Sequence, residues 1–158
     1  MSDLFERILL LKNSSAFSQV NTEDLKVVAL SLVEEKYFSG ERVFDINEYG
    51  DCMYILQKGR VGISLGNETN GSNGSYVAEL GEGDCFGEMN LLDDLPRSAS
   101  AHVLEDSIIL SLEKSRLSGL IKNYPELSLG MLKGLSLRLR QANLANTHSK
   151  NINTKNIK

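Results

Sequence analysis

Tryptophan is missing from this chain of 158 residues, proline, cysteine and histidine occur twice each, and aromatic side chains make up only 6%. Cys52 and Cys85 can form at most one bridge, and a chain of this length buries a core without one. Both stand in apolar stretches, so free, buried thiols are expected. His102 and His148 have no His-x-His or Cys-x-x-Cys companion, which leaves little from which to assemble a metal centre and weakens a metal-dependent enzyme. Long apolar runs are missing too. Ile8 to Leu11 is brief, and Asp3, Glu6 and Arg7 around it give neither a basic leader nor the ~18 apolar residues of a membrane span. A cytoplasmic protein without a membrane segment is expected. Positive charge is in deficit, with 17 Lys and Arg against 21 Asp and Glu, a net charge of -4 and a pI near 5.2. That is a poor basis for neutralising the phosphates of a nucleic acid.

What the chain does contain is 41% hydrophobic and 24% charged residues, the proportions of a single globular domain. We place that domain at residues 1–145, with helices over about 3–34, glycine-punctuated strands over about 37–112, helices over about 114–145 and a flexible polar tail at 146–158. Leu4, Phe5, Ile8, Leu9 and Leu11 share most of one helical face. Asn21 is a suitable N-cap, followed by acidic Glu23 and Asp24 and the apolar Leu25, Val28, Ala29 and Leu32, with the helix ending near Glu34. Val61, Ile63 and Leu65 alternate with small residues, and Ile108, Leu110 and Leu112 repeat that period of two, so the middle of the chain predicts antiparallel strands in a sandwich or barrel. The stretch Gly66 to Ser75 (GNETNGSNGS) reads as the surface loop of a hairpin. Pro125 suits the first turn of a helix of about five turns whose Leu127, Met131, Leu135 and Leu139 recur every four residues, with Lys133, Arg138 and Arg140 on its surface.

Chemistry is concentrated in Leu80 to Ala101 (LGEGDCFGEMNLLDDLPRSASA). Gly81 and Gly83 permit a tight turn, Phe86 can anchor it in the core, and Gly87 lets backbone amides approach a ligand at the start of a short helical turn through Leu92. Arg97 is a planar cation able to hold two phosphate oxygens side by side. Ser98, Ala99 and Ser100 are small enough to keep amides accessible, and the Ser98 hydroxyl adds a donor. Glu88 could accept from a ribose hydroxyl. Taken alone, Glu88 and Arg97 could equally form a surface ion pair worth ~0 to 1 kcal/mol. Asp93 and Asp94 read as solvated loop carboxylates and His102 as a packed strand residue, so no nucleophile with its base is apparent and no enzyme is expected.

The order Phe-Gly-Glu-Met-Asn-Leu-Leu, then Pro-Arg-Ser-Ala-Ser, resembles the phosphate-binding cassette of the cyclic nucleotide-binding domain family. Upstream, Asn47 to Ile55 with Gly50 and Asp51, and Gln57 to Val61, resemble the family's early β-roll turns. The likeness spans roughly Phe17 to Leu139. It implies a mainly β, α+β architecture: an antiparallel, jelly-roll-like β-roll flanked by N-terminal helices and a long C-terminal helix, as in catabolite activator and protein kinase A regulatory domains. It further implies that Arg97 clamps the exocyclic phosphate of cyclic AMP, with cyclic GMP the second choice. Glu88 and the Gly87 amide would hold the ribose 2′-hydroxyl, and Ser98 and the Ala99 amide would complete the phosphate shell. Met89 and Val77 would line the apolar side, and Asn143 would reach the base. No metal is implied.

Three departures from the family pattern stand out. Asn90 occupies a position where a small apolar residue is common. Ala142 and Asn143 stand where the bacterial catabolite activator protein has base-contacting hydroxyl residues. No helix-turn-helix follows the last helix, so a stand-alone sensor without direct DNA binding is expected, signalling to an effector protein or through a homodimer by its C-terminal helix. The competing expectation is a β-roll that docks proteins and has lost nucleotide binding.

Overall fold

The computed structural model describes residues 3–66 and 76–155, the last eight of these by backbone alone. Two short helices come first. α1 (Leu4–Asn13) is capped by Asp3, whose carboxylate accepts from the Glu6 N–H at 2.7 Å. α2 (Thr22–Ser31) is capped by Asn21, as its sequence predicts: Oδ1 accepts from the Asp24 N–H at 2.9 Å and Nδ2 donates to the Asp24 carboxylate at 3.1 Å. α2 stops earlier than expected, because Leu32 is its C-cap and Val33–Tyr37 forms strand β1. Two forces set that boundary. Arg7 donates to the carbonyls of Ala29 and Leu32 at the helix end, and β1 pairs with Ser107–Ser111, so Glu34 lies in a strand and not in the helix.

The strands that follow are β2 (Arg42–Phe44), β3 (Cys52–Lys58), β4 (Val61–Ser64), β5 (Ala78–Leu80), β6 (Cys85–Phe86), β7 (Ser100–Val103) and β8 (Ser107–Glu113). Among the described residues they make two four-stranded antiparallel sheets, ordered β1-β8-β3-β6 and β2-β7-β4-β5. This is the expected β-roll. Residues 67–75 of the glycine-rich stretch lie outside the described residues, but β4 and β5 on either side of it pair antiparallel from Val61↔Leu80 to Ile63↔Ala78.

The central strands of the first sheet, β3 and β8, pack on both faces, and their period of two sorts side chains between two cores. Met53, Ile55, Leu110 and Leu112 face the helices and pack with Leu11, Phe17, Leu25, Val28, Leu117 and Leu127. Leu56 and Ile109 point the other way, into the interior of the roll, with Val61, Phe86 and Ala101. The sequence pattern singled out Ile108, Leu110 and Leu112 on one face. Ile109, fully buried on the opposite face, completes the second core.

α3 (Lys114–Asn123) and α4 (Pro125–Lys155) close the chain. α4 starts at Pro125 as expected and buries Leu127 and Met131. It fits closely over the α1–α2 connection, where a Cβ added at Gly134 would lie 2.4 Å from the Ser15 carbonyl oxygen. Beyond that point its apolar stripe turns outward, with Leu139 63% exposed. The helix also runs past the expected end at 145. No glycine or proline interrupts Leu135 to Lys155, and Thr147 Oγ1 donates to the Asn143 carbonyl at 2.9 Å, so the backbone of the expected tail is helical through Lys155. At 31 residues α4 is roughly 46 Å long. Among the described residues no helix is long and apolar enough to cross a membrane.

The Asn21 cap gives a direct test. Asn21→Ala is expected to lower stability by about 1 kcal/mol and Asn21→Gly by only a few tenths, read from the urea midpoint at constant slope. Equal midpoints for wild type and Asn21→Ala would remove the cap from the account of α2.

Candidate functional site

The site grows out of the end of β6. Cys85 and Phe86 pair with Ile55 and Tyr54 of β3, which fixes the direction in which the chain leaves the sheet. Gly87 then turns with φ +72, a conformation that disfavours any side chain, and a Cβ there would lie 2.6 Å from Arg97 Nη1. A four-residue 3-10 helix follows over Glu88–Leu91, matching the short helical turn the sequence predicts. The next turn is pinned from behind, because Lys114 Nζ donates to the Asp93 carbonyl at 2.8 Å and pairs with Asp94. The hydrogen bond from Lys114 holds the Asp94 carboxyl below its ordinary range.

Arg97 is the centre of the arrangement. It is only 3% exposed, so the surface ion pair with Glu88 does not form. Its backbone exchanges two hydrogen bonds with the early β-roll turn, N–H to the Glu48 carbonyl at 2.7 Å and carbonyl from the Asn47 N–H at 2.8 Å. Nη1 donates to the Gly87 carbonyl at 3.3 Å and to Asn90 Oδ1 at 3.1 Å, while Nη2 donates to the Cys52 carbonyl at 2.9 Å. The guanidinium carbon lies 4.1 Å from the centroid of the Phe44 ring and 5.7 Å from that of Tyr54, a cation–π arrangement. Nε is buried and has no hydrogen-bond partner. A Cβ at Gly50 would lie 2.4 Å from that Nε and 2.5 Å from Nη2, so only glycine fits beside this edge.

Asn90 explains its own departure from the family pattern. It is buried, and its amide bridges two partners, accepting from Arg97 through Oδ1 and donating to the Leu95 carbonyl at 2.8 Å through Nδ2. Glu88 pairs with Arg138 and not with Arg97. Arg138 of α4 donates to its Oε1 at 2.6 Å and also reaches Ser15 Oγ at 3.4 Å. Arg138 is therefore part of the site and not surface decoration.

These residues border a cavity of about 300 Å³. It is lined by the apolar Phe44, Ile63, Leu80 and Phe86, by the cassette residues Gly87, Glu88, Met89, Asn90, Arg97, Ser98 and Ala99, and by Arg138 of α4. The structure thus brings together Gly87, Glu88, Met89, Arg97, Ser98 and Ala99 from the expected set. Val77 and Asn143 lie outside the lining. Val77, 60% exposed, immediately precedes β5, where its N–H donates to the Ile63 carbonyl, and Asn143 is exposed on the outer part of α4. Phe44, Tyr54, Asn90 and Arg138 are the contributors that motif reasoning missed or left without a role.

Both cysteines are free, as expected, but only half-buried. Burial, chiefly, pushes the Cys85 thiol up to about 12, with Glu88 adding to it, and burial with the adjacent Asp51 carboxylate pushes Cys52 up to about 11. His102 meets Ser64 Oγ at 2.8 Å in the second sheet, and burial and Arg42 hold its pKa down. Among the described residues no group of three or more His, Cys, Asp or Glu gathers where a metal could be held.

Comparison with known proteins agrees with this geometry. The family model for the cyclic nucleotide-binding domain matches residues 34–124, and the chain belongs to that family. It is 31% identical over 134 residues, 85% of its length, to the cyclic AMP receptor protein of Thermus thermophilus, and covers 61% of that protein. It is 30% identical over 111 residues to the cAMP-dependent protein kinase regulatory subunit of Debaryomyces hansenii, 70% of this chain and 23% of that one. The chain thus spans less than two thirds of these curated relatives. Among solved structures, the regulatory domain of Toxoplasma gondii PKA in its co-crystal with cAMP superposes with a TM-score of 0.67 at 26% identity, over 78% of this chain and 48% of that one.

The bracing of Arg97 by Asn90 can be tested without ligand. Asn90→Leu keeps the branched shape and removes both the acceptor for Arg97 and the donor to Leu95, and is expected to lower stability by roughly 1 to 3 kcal/mol, because a buried cation loses a hydrogen bond. Urea unfolding checks this, and an unchanged midpoint would contradict the bracing role. In a second test, both thiols should react slowly with iodoacetamide at pH 8 in the folded protein and rapidly in urea, since raised pKa values suppress the thiolate. Fast labelling of the native protein would contradict the burial described.

Proposed function

We propose that this chain is a non-enzymatic, cytoplasmic cyclic nucleotide sensor that binds cyclic AMP ahead of cyclic GMP and passes occupancy to a partner through α4. The observation that carries the reading is the buried Arg97 side chain, its Nε without a partner, in the lining of a cavity of about 300 Å³. An orphaned donor on a buried cation is costly, and an anion restores the missing bond. Three of the guanidinium's five N–H groups are already engaged by protein, so the cation is held in one orientation before any ligand arrives. That is the preorganisation a phosphate clamp needs.

In this reading the other residues divide the ligand between them. Arg97 holds the exocyclic phosphate, with Ser98 and the Ala99 amide beside it. Glu88 and the Gly87 amide take the ribose 2′-hydroxyl, and Met89, Phe44, Ile63 and Leu80 give the apolar contact. The cavity is at the lower end of the ~300 to 1,000 Å³ typical of small-molecule sites, in keeping with a compact mononucleotide. The preference for cyclic AMP draws on the two curated relatives, both named for cAMP. Output through α4, to an effector protein or to a second copy of the chain, draws on its exposed Leu137, Leu139 and Leu144 and on the Glu88–Arg138 link between helix and cassette.

Calorimetric titration with cyclic AMP and cyclic GMP tests the reading. Saturable binding with cyclic AMP the tighter ligand is expected, and Arg97→Lys should weaken it on the order of 30-fold or more, because lysine keeps the charge and loses the planar fork. Circular dichroism confirms that the variant is folded. No heat with either nucleotide in folded wild-type protein would favour the docking module instead.

A further inference from the structure

We propose that Asn90 is a positioning residue for the phosphate: it fixes the rotation of the Arg97 guanidinium, and so decides which of a cyclic nucleotide's two exocyclic phosphate oxygens the clamp holds. This deepens, and rests on, the reading of Arg97 as the phosphate clamp.

The two exocyclic oxygens of a cyclic phosphodiester share one negative charge, so charge alone does not tell them apart. A donor fork held at one angle does. Here that angle depends on few contacts. The Gly87 carbonyl accepts from Nη1 at 3.3 Å and the Cys52 carbonyl from Nη2 at 2.9 Å, and Asn90 Oδ1 accepts from Nη1 at 3.1 Å. Among the described residues Asn90 is the only side chain that hydrogen-bonds the guanidinium. The Phe44 ring, 4.1 Å from the guanidinium carbon, attracts the cation without choosing its rotation, because the field over a ring face has no preferred donor direction.

Asn90 has little freedom of its own. It is buried, and Nδ2 donates to the Leu95 carbonyl at 2.8 Å, which turns the amide oxygen toward the arginine. The Leu95 N–H donates to Asp93 Oδ1 at 3.1 Å, and Lys114, the first residue of α3, holds the Asp93 carbonyl at 2.8 Å. The acceptor is thus braced from behind by the loop that follows it. A small apolar side chain at position 90 supplies neither acceptor nor brace. Nη1 would then keep only the longest of the three bonds, and the guanidinium would turn toward whichever oxygen accepts better.

The test uses the two diastereomers of cyclic AMP in which sulfur replaces one or the other exocyclic oxygen. Sulfur is larger and a weaker acceptor, so a fixed fork separates them. Wild-type protein is expected to bind one diastereomer roughly tenfold or more tighter than the other, and Asn90→Ala to bring the two within about threefold. A merely structural role for Asn90 lowers both affinities together and leaves their ratio in place. A second measurement needs no variant at position 90. In ligand-free wild-type protein the Nη protons of Arg97, assigned by comparison with Arg97→Lys, should give separate resonances at low temperature. One averaged Nη resonance, or the same diastereomer ratio in wild type and folded Asn90→Ala, would overturn the proposal while leaving the sensor reading intact. Failure of wild-type protein to bind cyclic AMP or cyclic GMP would instead remove the sensor reading, and the proposal with it.

Discussion

A guanidinium taken out of water must be met on its remaining edges, and meeting the cation of Arg97 governs the arrangement around it. Desolvating such an ion costs several kcal/mol, which attraction and hydrogen bonds must offset. Here the offset is distributed over three chain segments. Gly87 and Asn90 of the cassette, Cys52 at the start of β3 and the Phe44 ring at the end of β2 each supply a contact. Two of the five N–H groups are left unmet, the buried Nε–H among them, and that deficit is the natural place for a ligand's charge.

The two cores explain why those contacts hold their positions. The sheet carrying β3, β6 and β8 is packed on one face by helices and on the other by the second sheet, so Cys52 and Gly87 sit at the ends of strands that cannot shift independently. Phe44, Tyr54 and Phe86 form a ring cluster with centroids 5.2 to 6.0 Å apart, which closes the interior of the roll directly beneath the guanidinium. The Glu88–Arg138 pair has a different character. Arg138 is half-exposed, its helix is anchored only through its first turns, and its bond to the cassette is weak enough to be biased by a ligand. Rigid recognition at Arg97 and adjustable contact at Glu88 thus border the same cavity.

Much of the cassette was legible because its parts are close in sequence. Gly87, Glu88, Arg97 and the small residues after it lie within fourteen positions, so residue type and spacing are enough to bring them together. The strand pattern and the Asn21 cap were legible for the same reason, each being a local signal. What escaped depends on contacts across the chain. Phe44 and Tyr54 are 53 and 43 positions before Arg97, and only the pairing of β2 with β7 and β3 with β6 brings them under it. Arg138 looked like one cation among several on an exposed helical face, and its partner is 50 positions away. The α2–β1 boundary moved because strand pairing with β8 outweighed the local helix signal, and α4 ran on because nothing in its polar end breaks a helix. Val77 and Asn143 were assigned by likeness alone, without a local physical signal, and the fold leaves both outside the cavity lining.

The central claim is that the free Nε–H of Arg97 is the donor a cyclic nucleotide phosphate completes. Nitrogen-15 NMR of the arginine Nε–H groups, with Arg97 assigned by substitution, tests it most directly during titration with cyclic AMP. The expected result is a strong downfield displacement of the Arg97 Hε resonance that saturates together with the backbone amides of Gly87 and Ala99. An Arg97 resonance that stays in place while those amides report a bound nucleotide would contradict the claim.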